Sequence, residues 1–349
     1  MQKAEVSYVS IEDLLEVLAL PENTHAAFEW TTGLMRVNCN SEDFYSILEK
    51  KDTRWENFFD CIVHETYHMY QICRSGFLYT LVTQIANELW EILGSYQYMI
   101  SDVFSSPYTL SASLNKLVSI LSFKDNEIDI ISIIEGSAFL AHNKIRRSQL
   151  SPEKYSNILR FRENTIYSKT YRYTETIFGH KAFYLLPTLS FCSLQYSNPV
   201  TVFCSLIKHL EKLSSKIEDT NFKEIIYEAI PAVILDIEEA YDIYKDPFSE
   251  EMEDSVDAHP FYSSTFKQIK HDFTQEKVED ILCNPNPTCE DFFLEIMRPV
   301  LFNDGVMILP KCSNEFFSDD HELANGMSLF AGLSFKFLTN HNVLQLFSP

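Results

Sequence analysis

The sequence predicts a mainly α-helical fold: a helical core with minor strands near the N-terminus and in the C-terminal region. Three observations carry that expectation. Only 8 of the 349 residues are glycine. Phe and Tyr are abundant, at 27 and 18, within a chain that is 46% hydrophobic, so a large core can be buried. Long amphipathic runs with few breakers fit packed helices better than a sandwich or a barrel.

Taken in order, residues 10–19 open as a helix with Ser10 at the N-cap, Asp13 at the capping-box position and Pro21 as the stop. Residues 26–37 read as a short strand pair turning around Thr32-Gly33. Asn40 or Ser41 can cap a helix over 42–50. A helix over about 54–75 follows, with Gly76 as its C′ residue. A second long helix covers roughly 77–103, and a tight connection at Gly76 folds it antiparallel onto the first.

Helices are expected at 110–121 and 126–145, and another begins at Ser151-Pro152, with serine at N-cap and proline at N1. Helical patterning resumes over 164–178, 181–195, 199–216 and 220–243, where Pro187 and Pro231 are expected to kink or interrupt their segments. The acidic stretch 249–257 is the linker candidate. It divides a helical core, 1–245, from a C-terminal region, 246–349, expected to pack on that core. Strands are expected at 305–309 and 333–338, and no internal repeat is present.

A formal charge of −22 repels phosphate backbones and anionic lipid, which argues against nucleic-acid and membrane partners. The eight cysteines include no CxxC pair; Cys61, Cys73, Cys192 and Cys204 lie in apolar helical contexts and read as core residues, while Cys283 and Cys289 could form a clip. The N-terminus carries no basic-then-apolar leader, and no apolar run is long enough to span a bilayer. A reducing, cytoplasmic setting is the expectation.

Residues 64–68 read His-Glu-Thr-Tyr-His inside Phe58-Phe59-Asp60-Cys61-Ile62-Val63-His64-Glu65-Thr66-Tyr67-His68-Met69-Tyr70-Gln71. On a helix, His64 and His68 share a face one turn apart and can turn two imidazoles to one metal ion. Glu65 lies roughly 100° round from His64, positioned to reach a water on that metal without being a ligand. Zinc hydrolysis requires neutral imidazoles, a polarised water and a carboxylate to take its proton. The bland alternative is a chance match, which ten histidines produce at only about a few per cent. The apolar face of Phe58, Phe59, Ile62 and Val63 would bury the helix, and buried histidines need partners.

A catalytic zinc site needs a third protein ligand. Here the chain resembles the gluzincin metallopeptidases, which combine HExxH with a glutamate from a later helix and of which thermolysin is the familiar member. The resemblance covers the motif helix and one downstream helix. It implies His64 and His68 as zinc ligands, Glu65 as general base, a metallopeptidase-like helical core and hydrolysis of a peptide or protein substrate.

Two glutamates compete for the third ligand. Glu135 is a lone carboxylate amid Ile133, Ile134, Ala138, Phe139 and Leu140, unfavourable to bury unpaired. Its Glu-Gly-x-Ala context looks like a third-ligand helix, and small Gly136 and Ala138 permit close approach. Gly136 costs about 1 kcal/mol of helix propensity relative to alanine, so something should require it. Glu88 follows His68 by 20 residues, near the thermolysin-like separation, and also sits in an Asn-Glu pair. Glu135 is the preferred choice.

The chain departs from the thermolysin pattern at the Asp four residues after the ligand glutamate, where it has Phe139 or Ile92; the acceptor that orients a histidine must come from elsewhere. His142 shares a face with Glu135 and reads as a core histidine. Tyr167, Tyr171, Tyr173 and His180 are named as possible oxyanion stabilisers.

Two rivals remain. Glu65-x-x-His68 also fits a di-iron carboxylate bundle, but its partner motif occurs only at Glu22–His25, in a polar stretch after Pro21. A non-catalytic zinc or interaction protein could keep the same helix. The absence of a glycine-rich phosphate loop and of Gly-x-Ser-x-Gly removes nucleotide-binding and serine-hydrolase readings. An acidic surface favours basic or neutral peptides, and the substrate is not otherwise legible.

Overall fold

Of the described residues, 74% are helical, and the strands are short. The structure is a computed structural model that describes residues 26–29, 34–48, 61, 64–68, 71–72, 75–95, 119–125, 127–149, 165–218, 220–238, 300–303 and 307–308. The expected helices at 10–19 and from 151, the linker at 249–257, the Cys283–Cys289 clip and the strand at 333–338 lie outside these residues, as does Glu22–His25.

The expected N-terminal strand pair is present. Strand β1 (Ala26–Glu29) pairs antiparallel with β2 (Leu34–Val37), Ala26 opposite Val37 and Glu29 opposite Leu34. Strand β2 also pairs in parallel with β5 (Val300–Phe302), which pairs antiparallel with β6 (Met307–Ile308). The expected strand at 305–309 is therefore described at 307–308, and the three-residue β5 was not anticipated. Helix α1 (Ser41–Leu48) follows Asn40, with Glu42 and Asp43 in its first turn where the dipole favours acids. Its buried Phe44 packs against Phe302 with ring centroids 5.0 Å apart.

Residues 61, 64–68 and 71–72 are helical, as the motif requires. Gly76 departs from expectation: it starts the next helix, α2 (Gly76–Ser95), rather than capping the previous one. The physical reason is Ser75, whose Oγ accepts from Leu78 N at 3.2 Å and so caps α2. Gly76 N donates to Gln195 Oε1 and Phe77 N to the Leu194 carbonyl, tying this start to a turn over 100 residues later. Phe77, Leu78, Leu81, Val82 and Ile85 form the buried stripe of α2.

The segment expected to be helical from 126 instead begins with a hairpin, β3 (Lys124–Asp125) and β4 (Ile128–Asp129), with Glu127 at φ 66° in its turn. Helix α3 (Ile130–Gln149) starts after it. Asp129 and Ser132 fix that start reciprocally: Ser132 N donates to Asp129 Oδ1 at 2.8 Å and Asp129 N to Ser132 Oγ at 3.1 Å.

Helix α4 (Ile166–Phe178) packs along α3. It ends at Gly179, whose φ of 60° lies in the left-handed region. A single 3₁₀ turn, Gly179–Lys181, leads into α5 (Ala182–Ser193). Lys181 Nζ donates to the carbonyls of Ser214 at 2.8 Å and Ile217 at 2.6 Å, just beyond α6 (Pro199–Glu211). Helix α6 is capped by Asn198, whose Oδ1 accepts from Thr201 N, and has proline at N1. Helix α7 (Phe222–Glu238) follows.

Of the two expected effects, interruption does not occur: Pro187 lies inside α5 and Pro231 inside α7. A proline removes one ladder hydrogen bond and crowds a carbonyl, at about 3 kcal/mol. Burial of neighbours such as Leu185, Leu186 and Leu189, each worth about 1.5–3 kcal/mol, offsets that cost in α5. These helices and α2 and α3 share one core, which includes Phe77, Leu140, Phe203, Leu210 and Ile226. Cys192 and Cys204 are buried in it as unbridged thiols, as expected. Cys39 is buried and unbridged beside the sheet. Among the described residues no helix is long and apolar enough to cross a membrane.

Candidate metal centre

The helical turn 64–68 and the middle of α3 meet at one point. His64 Nε2 lies 2.9 Å from Glu135 Oε2, His68 Nε2 lies 3.4 Å from the same oxygen, and the two ring nitrogens are 3.1 Å apart. The imidazoles stand edge to face, with centroids 4.7 Å apart at 88°. His64 and His68 are buried, while the Glu135 side chain keeps 16% of its surface exposed. Among the described residues this is the group of side chains that could hold a metal ion.

The donor set suits a single tetrahedral cation. Bonds of about 2.0–2.1 Å from a zinc ion to N and O would separate the ligand atoms by about 3.3 Å, and the observed edges are 2.9, 3.1 and 3.4 Å. Two imidazoles and a carboxylate form a donor set that a divalent cation can take. Burial alone pushes the His68 imidazole down, but the charge of Glu135 and a hydrogen bond to it, with Glu65 and Gln71 adding, raise it to about 9. Burial pushes the Glu135 carboxyl up, yet His68 and His64 together hold it far below the usual carboxylate range.

Two contacts position Glu135. The first is Gly136. A Cβ there would lie 3.2 Å from both Cβ and Oγ1 of Thr170, a tight contact that glycine avoids where α3 and α4 approach. Thr170 is itself held, its hydroxyl donating to the Ser132 carbonyl. The second is Gln71, which sequence reasoning did not single out. Gln71 Nε2 donates to the Ile134 carbonyl at 2.9 Å and to Ser137 Oγ at 2.7 Å, and its Oε1 lies 2.8 Å from His68 Nδ1. Its signal in the sequence was position: three residues after His68, on the same helical face.

Glu65 is half-buried, close enough for its charge to act on His68. Glu88 belongs to α2 and His142 to α3, but both side chains lie outside the described residues. Of the four possible oxyanion groups, Tyr167 is at the site, its ring 5.5 Å from that of His64 and 6.3 Å from that of Phe139. Tyr171 donates to Glu175 at 3.0 Å, Tyr173 packs on the helical core, and His180 is exposed in the 3₁₀ turn. Comparison with protein-family models, with curated proteins and with solved structures finds no match to this chain.

Proposed function

We propose that the chain is a zinc-dependent metallopeptidase of gluzincin type, with His64, His68 and Glu135 as metal ligands. The observation that carries this reading is the convergence of their three ligand atoms within 3.4 Å of one another. Zinc bound there supplies an acidified water and a Lewis acid for the scissile carbonyl.

The rest falls to the chain. Glu65, on the same helix as both histidines but turned about 100° from His64, takes the water's proton on a carboxylate oxygen and passes it to the departing amine. His68 keeps its Nδ1 proton toward Gln71 and offers Nε2. Tyr167, stacked edge-on against His64, is the nearest described candidate to donate a phenol proton to a developing oxyanion. The partner is a peptide or protein substrate. With a net charge of −22, basic or neutral segments are favoured over acidic ones.

The test is zinc stoichiometry and a peptide-library digest on wild type and Glu65→Gln side by side. About one zinc per chain in both, with cleavage by wild type only, is the expected result. Zinc lost from Glu65→Gln would make Glu65 a ligand and overturn the assignment. Zinc bound with no cleavage by either protein would establish a non-catalytic zinc protein, and two irons per chain a di-iron centre.

A further inference from the structure

We propose that Gln71 is the positioning residue of this centre: one amide fixes the ring orientation of His68 and bolts its helix to the turn of α3 that carries Glu135. The inference rests on the metal reading above.

The orientation of the amide follows from its partners. The Ile134 carbonyl can only accept, so the group facing it at 2.9 Å must be the Gln71 NH2. Ser137 Oγ, 2.7 Å from the same nitrogen, accepts too, because its own hydroxyl proton is directed to the carbonyls of Ile133 at 3.0 Å and Ile134 at 3.1 Å. Gln71 Oε1 is then fixed toward His68 Nδ1 at 2.8 Å and acts as an acceptor. His68 must carry its proton on Nδ1, which leaves Nε2 as the nitrogen that faces His64 and Glu135. Gln71 is 6% exposed and Ser137 1%, so water does not compete for these bonds.

The arrangement differs from the carboxylate acceptor of thermolysin-like sites. A neutral amide orients the ring without adding a second negative charge to a buried site that already holds Glu135. It also reaches α3 through two donated hydrogen bonds, which a carboxylate cannot make. Orientation of a ligand and the distance between two ligand-bearing elements therefore depend on one side chain.

The experiment measures zinc affinity, by competition with a chromophoric chelator, and solvent exchange of the His68 Nδ1 proton by NMR, on wild type, Gln71→Leu, Gln71→Glu and Ser137→Ala. Gln71→Leu keeps the volume and loses the acceptor; zinc affinity should fall about 10–100-fold, the usual cost of removing an orienting partner, and the Nδ1 proton should exchange freely. Gln71→Glu restores an acceptor and should recover slow exchange, even if Gln71→Leu fails to fold. Ser137→Ala removes one anchor and should fall between wild type and Gln71→Leu. Gln71→Leu that binds zinc within about twofold of wild type and keeps a slowly exchanging Nδ1 proton overturns the proposal, as does fast exchange in Gln71→Glu. Failure of the metal reading is separable: wild type would bind no zinc, and the exchange measurement on the zinc-free protein would still decide the role of Gln71.

Discussion

Replacing Gly136 by alanine tests whether close approach of α3 and α4 sets the position of Glu135. Two effects oppose. In a helix interior alanine is favoured over glycine by about 1 kcal/mol, so an unobstructed site would gain stability. Here the new Cβ would meet Thr170 Cβ and Oγ1, both at 3.2 Å. Neither atom yields easily: Cβ is fixed to the α4 backbone, and Oγ1 is held by its bond to the Ser132 carbonyl. Relief requires the helices to separate by a few tenths of an ångström, and overpacking of that kind costs about 1–3 kcal/mol. The net expectation is destabilisation of about 0–2 kcal/mol, opposite in sign to propensity alone. Urea unfolding at unchanged m-value gives the number. Zinc affinity should weaken as well, because Glu135 is the adjacent residue on the displaced turn. In a Thr170→Gly background both contact atoms are gone, and the same substitution should become stabilising by about 1 kcal/mol. A Gly136→Ala protein stabilised by that amount in the native background would refute the reasoning.

Glu135→Gln preserves volume and removes the anionic ligand; zinc affinity should drop by more than the roughly 100-fold upper range for outer partners, and chelator competition that finds an unchanged affinity would exclude Glu135 as a ligand. Cys204, buried and with its thiol pushed by burial and by Asp125 from 9.0 to about 12, should resist alkylation in the native protein. At pH 8 its thiolate fraction is about 1000-fold below that of an unperturbed thiol and rises only as the pH approaches 12; peptide mapping after iodoacetamide treatment that finds Cys204 labelled as fast as it is in urea would contradict this burial.

What was legible in the sequence follows what chemistry writes locally. The histidine spacing is a helical period, so it could be read as a shared face before any fold was known. Glu135 was legible because a lone carboxylate in an apolar run, followed by glycine, is costly twice over and needs a reason. The β3–β4 hairpin was missed because Glu127 takes the left-handed conformation that glycine or asparagine ordinarily marks, and Ile128, Ile130 and Ile131 fit a helix as well as a strand. The first turn of α2 was misread for a related cause: Gly76 suggests a helix end, while the capping serine beside it decides. Pro187 and Pro231 carry a strong local penalty that tertiary packing overrode. Gln71 has no composition signal, and only the three-dimensional position of Ile134 and Ser137 shows why an amide is buried there.

Four consecutive residues of α3, Ile134 to Ser137, make contacts that hold the site. The Ile134 carbonyl and Ser137 Oγ receive Gln71 from the histidine helix, Glu135 meets the two imidazoles, and Gly136 admits Thr170 of α4. One turn thus touches two neighbouring elements, and the carboxylate projects from between the two contacts. A ligand on a helix held on both sides has little freedom to swing away, so less of the binding energy of a metal would be spent on ordering it. The charges of His68 and Glu135 favour one another, raising the imidazole and lowering the carboxyl. Loosening either contact, at Gln71 or at Gly136, should weaken zinc binding without touching a ligand atom. If only substitutions of the ligands themselves did so, the positioning by α3 would be packing alone.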